Sequence, residues 1–359
     1  MTTESDAGRP VRGALERSSL WQLTRARIVV FLREPEALFW VFAFPVLMAL
    51  ALGIAFRHQG PQTSRVGVEH GPGAAAAVEA LERSPDLEVV TIGAEEAAVA
   101  LRRGRIAVLV RVPADGLPVL VYDPTRPETR LAHLATVDAL ERAAGRADTL
   151  EIRSDMAVQP GSRYIDFLIP GLIGLNLLGT GMWGIGFAIA NARQQRLLKR
   201  LIATPMRRGE YLLSFMLARL VWLVLEVAAV QGFGWVAFGV AMRGSWSGYA
   251  AVCLLSALVF SALGLLVASR VKTIEGVSGL MNVVMLPMWL LSGVFFSSER
   301  FPEAMQPLIQ ALPLTATNDA LRLLTNEGAG FIAIVPELGI LAAWGVVSFA
   351  VALRLFRWE

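Results

Sequence analysis

Six uncharged or nearly uncharged apolar runs punctuate this chain, and each is long enough to cross a bilayer. The hydrocarbon core is about 30 Å thick and an α-helix rises about 1.5 Å per residue, so about 20 apolar residues suffice. The runs span residues 37–56, 167–192, 212–242, 244–269, 276–298 and 332–353. The third is interrupted by Arg219 near one end and Glu226 in the middle, and the sixth carries Pro336 and Glu337 near its start. A seventh uncharged run, 304–318, is too short to cross and contains Pro307 and Pro313, which reads as re-entrant or interfacial.

Between the first and second runs the pattern changes. Residues 57–163 carry 13 basic and 15 acidic side chains, with strand-like stretches at 65–69, 87–92, 106–112 and 119–122. Helix-like stretches fall at 74–83 and 94–103, and a longer one at 128–153 repeats Leu131, Leu134, Val137 and Leu140 at roughly helical spacing. This predicts a small α/β insert. Ahead of the first run, residues 15–34 mix Trp21, Leu23, Ile28 and Phe31 with arginines, the pattern of an amphipathic helix lying in the membrane interface.

Composition agrees with lipid. Hydrophobic residues make up 55% and charged ones 18%, with a mean hydropathy of +0.53, too apolar for an ordinary soluble protein. A single cysteine, Cys253, excludes a disulfide scaffold. The bias of 31 Arg against 2 Lys reads as genome composition and not as nucleic-acid binding. Placement of the charge says more than its sum. With the N-terminus inside, cytoplasmic segments collect 16 basic residues and the short outer loops hold three, Arg243, Arg300 and Arg322. The positive-inside rule then puts both termini in the cytoplasm and the insert outside, since a loop that long crosses regardless of charge. With 36 residues ahead of it, the first run reads as a span and not as a secretory signal.

The expected fold class is an all-α polytopic membrane protein with six transmembrane helices and an extracytoplasmic α/β insert between the first and second. The expected domains are a cytoplasmic N-terminal segment (1–34), the first transmembrane helix (35–57), the insert (58–163) and transmembrane helices two to six (164–359). The last part includes a cytoplasmic loop at 191–211 and a re-entrant segment at 299–325.

Signatures of chemistry on the chain are missing. No phosphate-cradling G-x-x-x-x-G-K-[ST] loop occurs, so ATP hydrolysis has no place here. His58, His70 and His133 lack metal-ligand spacing, and no G-x-S-x-G elbow is found. Neither an enzyme nor a bound cofactor or metal is expected. The sharpest signal is in 191–211. Leu197, Leu198, Leu201 and Ile202 occupy one arc of a helix and Arg193, Arg196, Lys199 and Arg200 the opposite arc, and Thr204-Pro205 ends it. Such a helix either clings to anionic lipid or docks a cytoplasmic partner.

The run from Arg196 through Leu197, Leu198, Lys199, Arg200, Leu201 and Ile202 to Pro205, followed by Glu210 and Tyr211, resembles the cytoplasmic loop of permease subunits of ABC type 2 exporters. Leu291-Ser-Gly-Val-Phe-Phe296, Phe301-Pro302, Leu312-Pro-Leu-Thr315 and Ala320-Leu-Arg322 resemble that family's stretch around the fifth span. One departure is that the family loop often opens with an acidic residue and a Gly-Thr, where this chain has Gln194-Gln195-Arg196. The resemblance implies an exporter permease of the cytoplasmic (inner) membrane, partnered by two separate ABC ATPase subunits and a second permease, identical or related. It also implies that the loop helix docks in a groove of the ATPase and that the run after span five forms a pair of re-entrant helices. The competing class is a membrane-anchored sensor whose outer domain binds a ligand.

Three intramembrane polar residues stand out. Glu226 is either a neutral carboxyl hydrogen-bonded between helices or a polar element of the translocation path or dimer seam, because a charge at a helix centre costs about 2.5–3.5 kcal/mol. Asn176 and Asn282 read more readily as interhelical hydrogen-bonders than as substrate ligands.

Overall fold

The computed structural model describes residues 19–56, 63–113, 117–147, 161–195, 208–271 and 273–355. The chain divides into two compact units, His58–Ala157 and the remainder. Two helices precede the insert. Helix α1 (Ser19–Leu32) packs along the third spanning helix, where Phe31 meets Trp222 with ring centroids 4.4 Å apart and the Arg27 guanidinium sits 3.0 Å from the centre of the Phe215 ring. Helix α2 (Pro35–Ala55) contains a π-helical turn at Phe39–Ala43, immediately ahead of Pro45.

The insert contains β1 (Ser64–Glu69), α3 (Ala74–Glu82), β2 (Leu87–Ile92), α4 (Ala94–Arg102), β3 (Val108–Arg111), β4 (Val119–Tyr122) and α5 (Pro127–Ala143). Its sheet runs β2-β1-β3-β4, parallel except for the β3–β4 pair. Parallel neighbours need helical crossovers, and α3 and α4 provide them. Val66, Val68, Val108 and Val110 pack with Ala77, Leu81, Ala132 and Ala139 of α3 and α5 on one face. Ile92, Ile106 and Leu109 pack with Ala97 and Ala100 of α4 on the other. Helix α5 stops at Ala143, ahead of Gly145 at φ +99°, so it is shorter than the 128–153 stretch suggests. Residues 148–153 lie outside the described residues.

The other unit continues with α6 (Tyr164–Gln194), α7 (Arg208–Phe238), α8 (Trp246–Ala268), α9 (Ile274–Leu291), the short α10 (Gln306–Gln310), α11 (Pro313–Thr325) and α12 (Val335–Leu355). Six helices among the described residues are long and apolar enough to cross a membrane: α2, α6, α7, α8, α9 and α12. Two end earlier than their apolar runs: α7 at Phe238, before Gly239 (φ +69°), and α9 at Leu291, shortly before Gly293 (φ +68°). In both cases a glycine in the left-handed region turns the chain where hydropathy alone sees no boundary.

Helix α6 sits at the centre, packing on α2, α7, α8, α9 and α11. It meets α8 backbone to backbone: a Cβ on Gly181 would stand 2.7 Å from the Phe260 Cβ, and one on Gly264 2.7 Å from the Met182 carbonyl oxygen. Small residues allow that approach where lipid supplies no hydrophobic drive between helices.

Candidate functional site

Arg196, Leu197, Leu198, Lys199, Arg200, Leu201, Ile202 and Pro205, the proposed docking segment, lie outside the described residues. Its root on α6 is described. The Arg193 guanidinium donates to three carbonyls at the end of α8: from Nη1 to Ala268 (2.9 Å) and Val271 (2.7 Å), and from Nη2 to Ser269 (3.2 Å). The last carbonyls of a helix have no partner inside it and carry the negative end of its dipole, so a guanidinium fork is well matched to them.

Glu226 is buried to 1% exposure in α7, and its partner is Arg219 on the same helix, 8% exposed, with Nη2 2.6 Å from Oε1. Seven residues make two helical turns, which puts both side chains on one face. The Thr180 hydroxyl of α6 and Cys253 of α8 stand beside the carboxylate. The contact is close but poorly aligned, since neither Glu226 oxygen makes a well-formed hydrogen bond among the described residues. From the sequence, Arg219 and Glu226 read only as two separate interruptions; the i, i+7 spacing was the signal that pairs them.

Asn176 donates from Nδ2 to the Val41 carbonyl at 3.0 Å. The reason lies four residues further along α2. Val41 lies in the π-helical turn, and Pro45, which has no N–H, interrupts the helical ladder just beyond it, so α6 supplies a donor from outside the helix. Asn282 sits differently: its side chain is exposed on α9 beside exposed Val283 and Leu286, with no hydrogen-bond partner among the described residues. The structure thus brings Glu226 next to α6 but does not gather Glu226, Asn176 and Asn282 into one cluster.

The segment after α9 repeats the proline device. Pro170 lies inside α6 and frees the Asp166 carbonyl, which accepts from Asn326 Nδ2 at 3.1 Å. One turn away, Arg322 of α11 donates to the Phe167 carbonyl (3.4 Å) and to that of Gly293, with its guanidinium 3.6 Å from the centre of the Phe167 ring. Asn318 donates to the Ser292 carbonyl (2.8 Å), and Thr317 meets Ser256 of α8 (2.8 Å). Asp319 of α11 pairs with Arg322, Oδ1 3.6 Å from Nη1. Sequence reading singled out none of these contacts, although a proline inside an apolar run always leaves one carbonyl in search of a donor. Among the described residues no group of His, Cys, Asp and Glu could hold a metal ion.

Residues 35–354 match a family described as ABC-2 family transporter protein. Among curated proteins, the chain is 28% identical over 203 residues to the inner membrane transport permease YadH of Escherichia coli strain K12, covering 55% of this chain and 75% of that one. Nodulation protein J of Rhizobium meliloti is 27% identical over 209 residues, with the same coverage of 55% and 75%. The linearmycin resistance permease protein LnrN of Bacillus subtilis is 26% identical over 190 residues, covering 49% and 46%.

Proposed function

The chain belongs to the ABC-2 transporter family, and from that premise we propose that it is the membrane-spanning permease subunit of an ATP-binding-cassette exporter of the inner membrane. In this reading ATP is hydrolysed by separate cytoplasmic subunits, and the permease moves substrate outward. The observation that carries it is the family match over 35–354, which spans all six apolar helices. The charge asymmetry of 16 to 3 supports cytoplasmic termini, a cytoplasmic docking loop at 191–211 and an extracytoplasmic insert at 58–163. Residues 1–34 form the cytoplasmic N-terminal segment, 35–57 the first transmembrane helix and 299–325 a re-entrant segment within 164–359.

A second permease completes the assembly. Asn282 supports this, because an exposed amide on an apolar face is poorly served by lipid and well served by another helix. The same reading makes Glu226, paired with Arg219, a polar element inside the bundle and not a lipid-facing charge.

The test separates docking from lipid anchoring at the loop. A docking helix depends on apolar shape, whereas a lipid anchor depends on summed charge, about 1 kcal/mol per basic residue. Leu201→Ala with Ile202→Ala should release the ATPase subunit during co-purification, while Lys199→Gln with Arg200→Gln should retain it. Retention by the apolar pair together with release by the charge pair would refute the docking helix.

A further inference from the structure

The root of the docking loop is fastened to a different spanning helix from the one that leads into it. Arg193 is the penultimate residue of α6 and lies three residues before Arg196, yet its guanidinium holds Ala268, Ser269 and Val271 at the end of α8. Helix α8 has no basic residue in its own last turn, so the cation at that terminus comes from α6. Val271 already belongs to the short turn that leads into α9, whose first turn is capped by the Thr273 hydroxyl accepting from the Gly276 N–H. Deeper in the bundle, Gly181 and Gly264 hold α6 and α8 together backbone to backbone, and a Cβ on Gly186 would stand 3.2 Å from the Gly264 carbonyl oxygen. Glycine contact lets the helices touch but gives little resistance to sliding along their axes. Three charge-assisted hydrogen bonds at one end resist it.

We propose that Arg193 is a positioning residue for energy coupling: it joins α6, α8 and the α8–α9 turn into one lever, so that displacement of the docking loop moves α8 and α9 together with α6. The inference rests on the loop being the ATPase contact. Without the staple, a push on the loop would reach only α6 and α7, the two helices it joins, and α8 and α9 would follow late or not at all. Lysine cannot replace the device fully, because an ammonium is a point donor and lacks the rigid fork that spans several carbonyls.

The experiment uses the full complex of permease and ATPase in a Cys253→Ala background. Nitroxides are placed through Glu275→Cys and Arg354→Cys, two exposed sites on α9 and α12. ATP with vanadate is the probe, and the distance distribution between the labels is the readout. With Arg193 present, trapping should shift that distribution. In Arg193→Gln the equilibrium constant for the trapped distance should fall about tenfold, within the usual range of coupling between sites, while the ATPase still co-purifies. Arg193→Lys should fall between the two, and it carries the test if the Gln variant fails to insert. A wild-type shift in the variant overturns the proposal, including when thermal stability is lowered, since a merely structural role would cost stability and leave the shift intact. Failure of the ATPase to co-purify with the unmutated permease would overturn the docking loop itself, and the lever with it.

Discussion

Replacing Asn176 with Ala removes the donor that serves the Val41 carbonyl, and Pro45 decides what that costs. A buried carbonyl left without its partner loses about 1–3 kcal/mol in a dry interior. Interhelical hydrogen bonds in membranes average nearer about 0.6 kcal/mol and reach about 1.7, because the unfolded chain in lipid also finds partners. The Asn176–Val41 bond is buried at 3.0 Å and answers a proline gap, so the upper part of that range applies, about 1–2 kcal/mol. The explanation has a second arm. Pro45→Ala restores an N–H at the position that can satisfy Val41 within α2. In that background Asn176→Ala should cost about 1 kcal/mol less, leaving only the packing loss. The assay is reversible unfolding in mixed detergent micelles followed by tryptophan fluorescence, with the four proteins compared as a double-mutant cycle. Equal costs in both backgrounds, within about 0.3 kcal/mol, would refute the claim that Asn176 acts by replacing the bond Pro45 cannot make.

Two further outcomes follow from the same reasoning. Arg219→Leu and Glu226→Leu should each destabilise the protein by about 3–5 kcal/mol, since each strands a buried charge, and the double variant should recover to near the parent; micelle unfolding checks this, and a double variant no better than the worse single would show that pairing is not what keeps these groups. With Cys253→Ala, an impermeant thiol reagent applied to intact cells should label Val119→Cys and miss Lys199→Cys; the reverse pattern would overturn the orientation drawn from the 16 to 3 charge count.

Apolar run length located the six spanning helices because lipid imposes a single, local requirement on each of them. The strands at 87–92 and 119–122 were legible for a similar reason: β-branched and aromatic residues bracketed by turn residues are local signals. Ends were less legible. Gly239 and Gly293 stop α7 and α9 inside apolar sequence, where only backbone conformation marks the boundary. The polar contacts were hardest, because partners lie far apart in the chain: 135 residues separate Asn176 from Val41, and 155 separate Arg322 from Phe167. Periodicity identifies a polar residue as costly in lipid and gives no indication which distant carbonyl it serves. Arg193 is the sharpest instance. Read along the chain it is one more positive charge beside the membrane, and only the tertiary structure reveals that it belongs to the end of α8.

The Pro170 gap has a consequence for biosynthesis. The carbonyl of Asp166 and the amide that satisfies it, on Asn326, are separated by 160 residues. At about 5–20 residues per second, the ribosome delivers the donor about 8–30 s after the acceptor. Throughout that interval α6 exists with an open carbonyl, and whatever shields it, whether water at the translocation channel, a chaperone or lipid headgroups, must yield to Asn326 once α11 emerges. The centre of the bundle is therefore made ahead of four of the spanning helices and is among the last parts to be finished, and a chain truncated before α11 would present quality-control proteases with a spanning helix already inserted but never sealed.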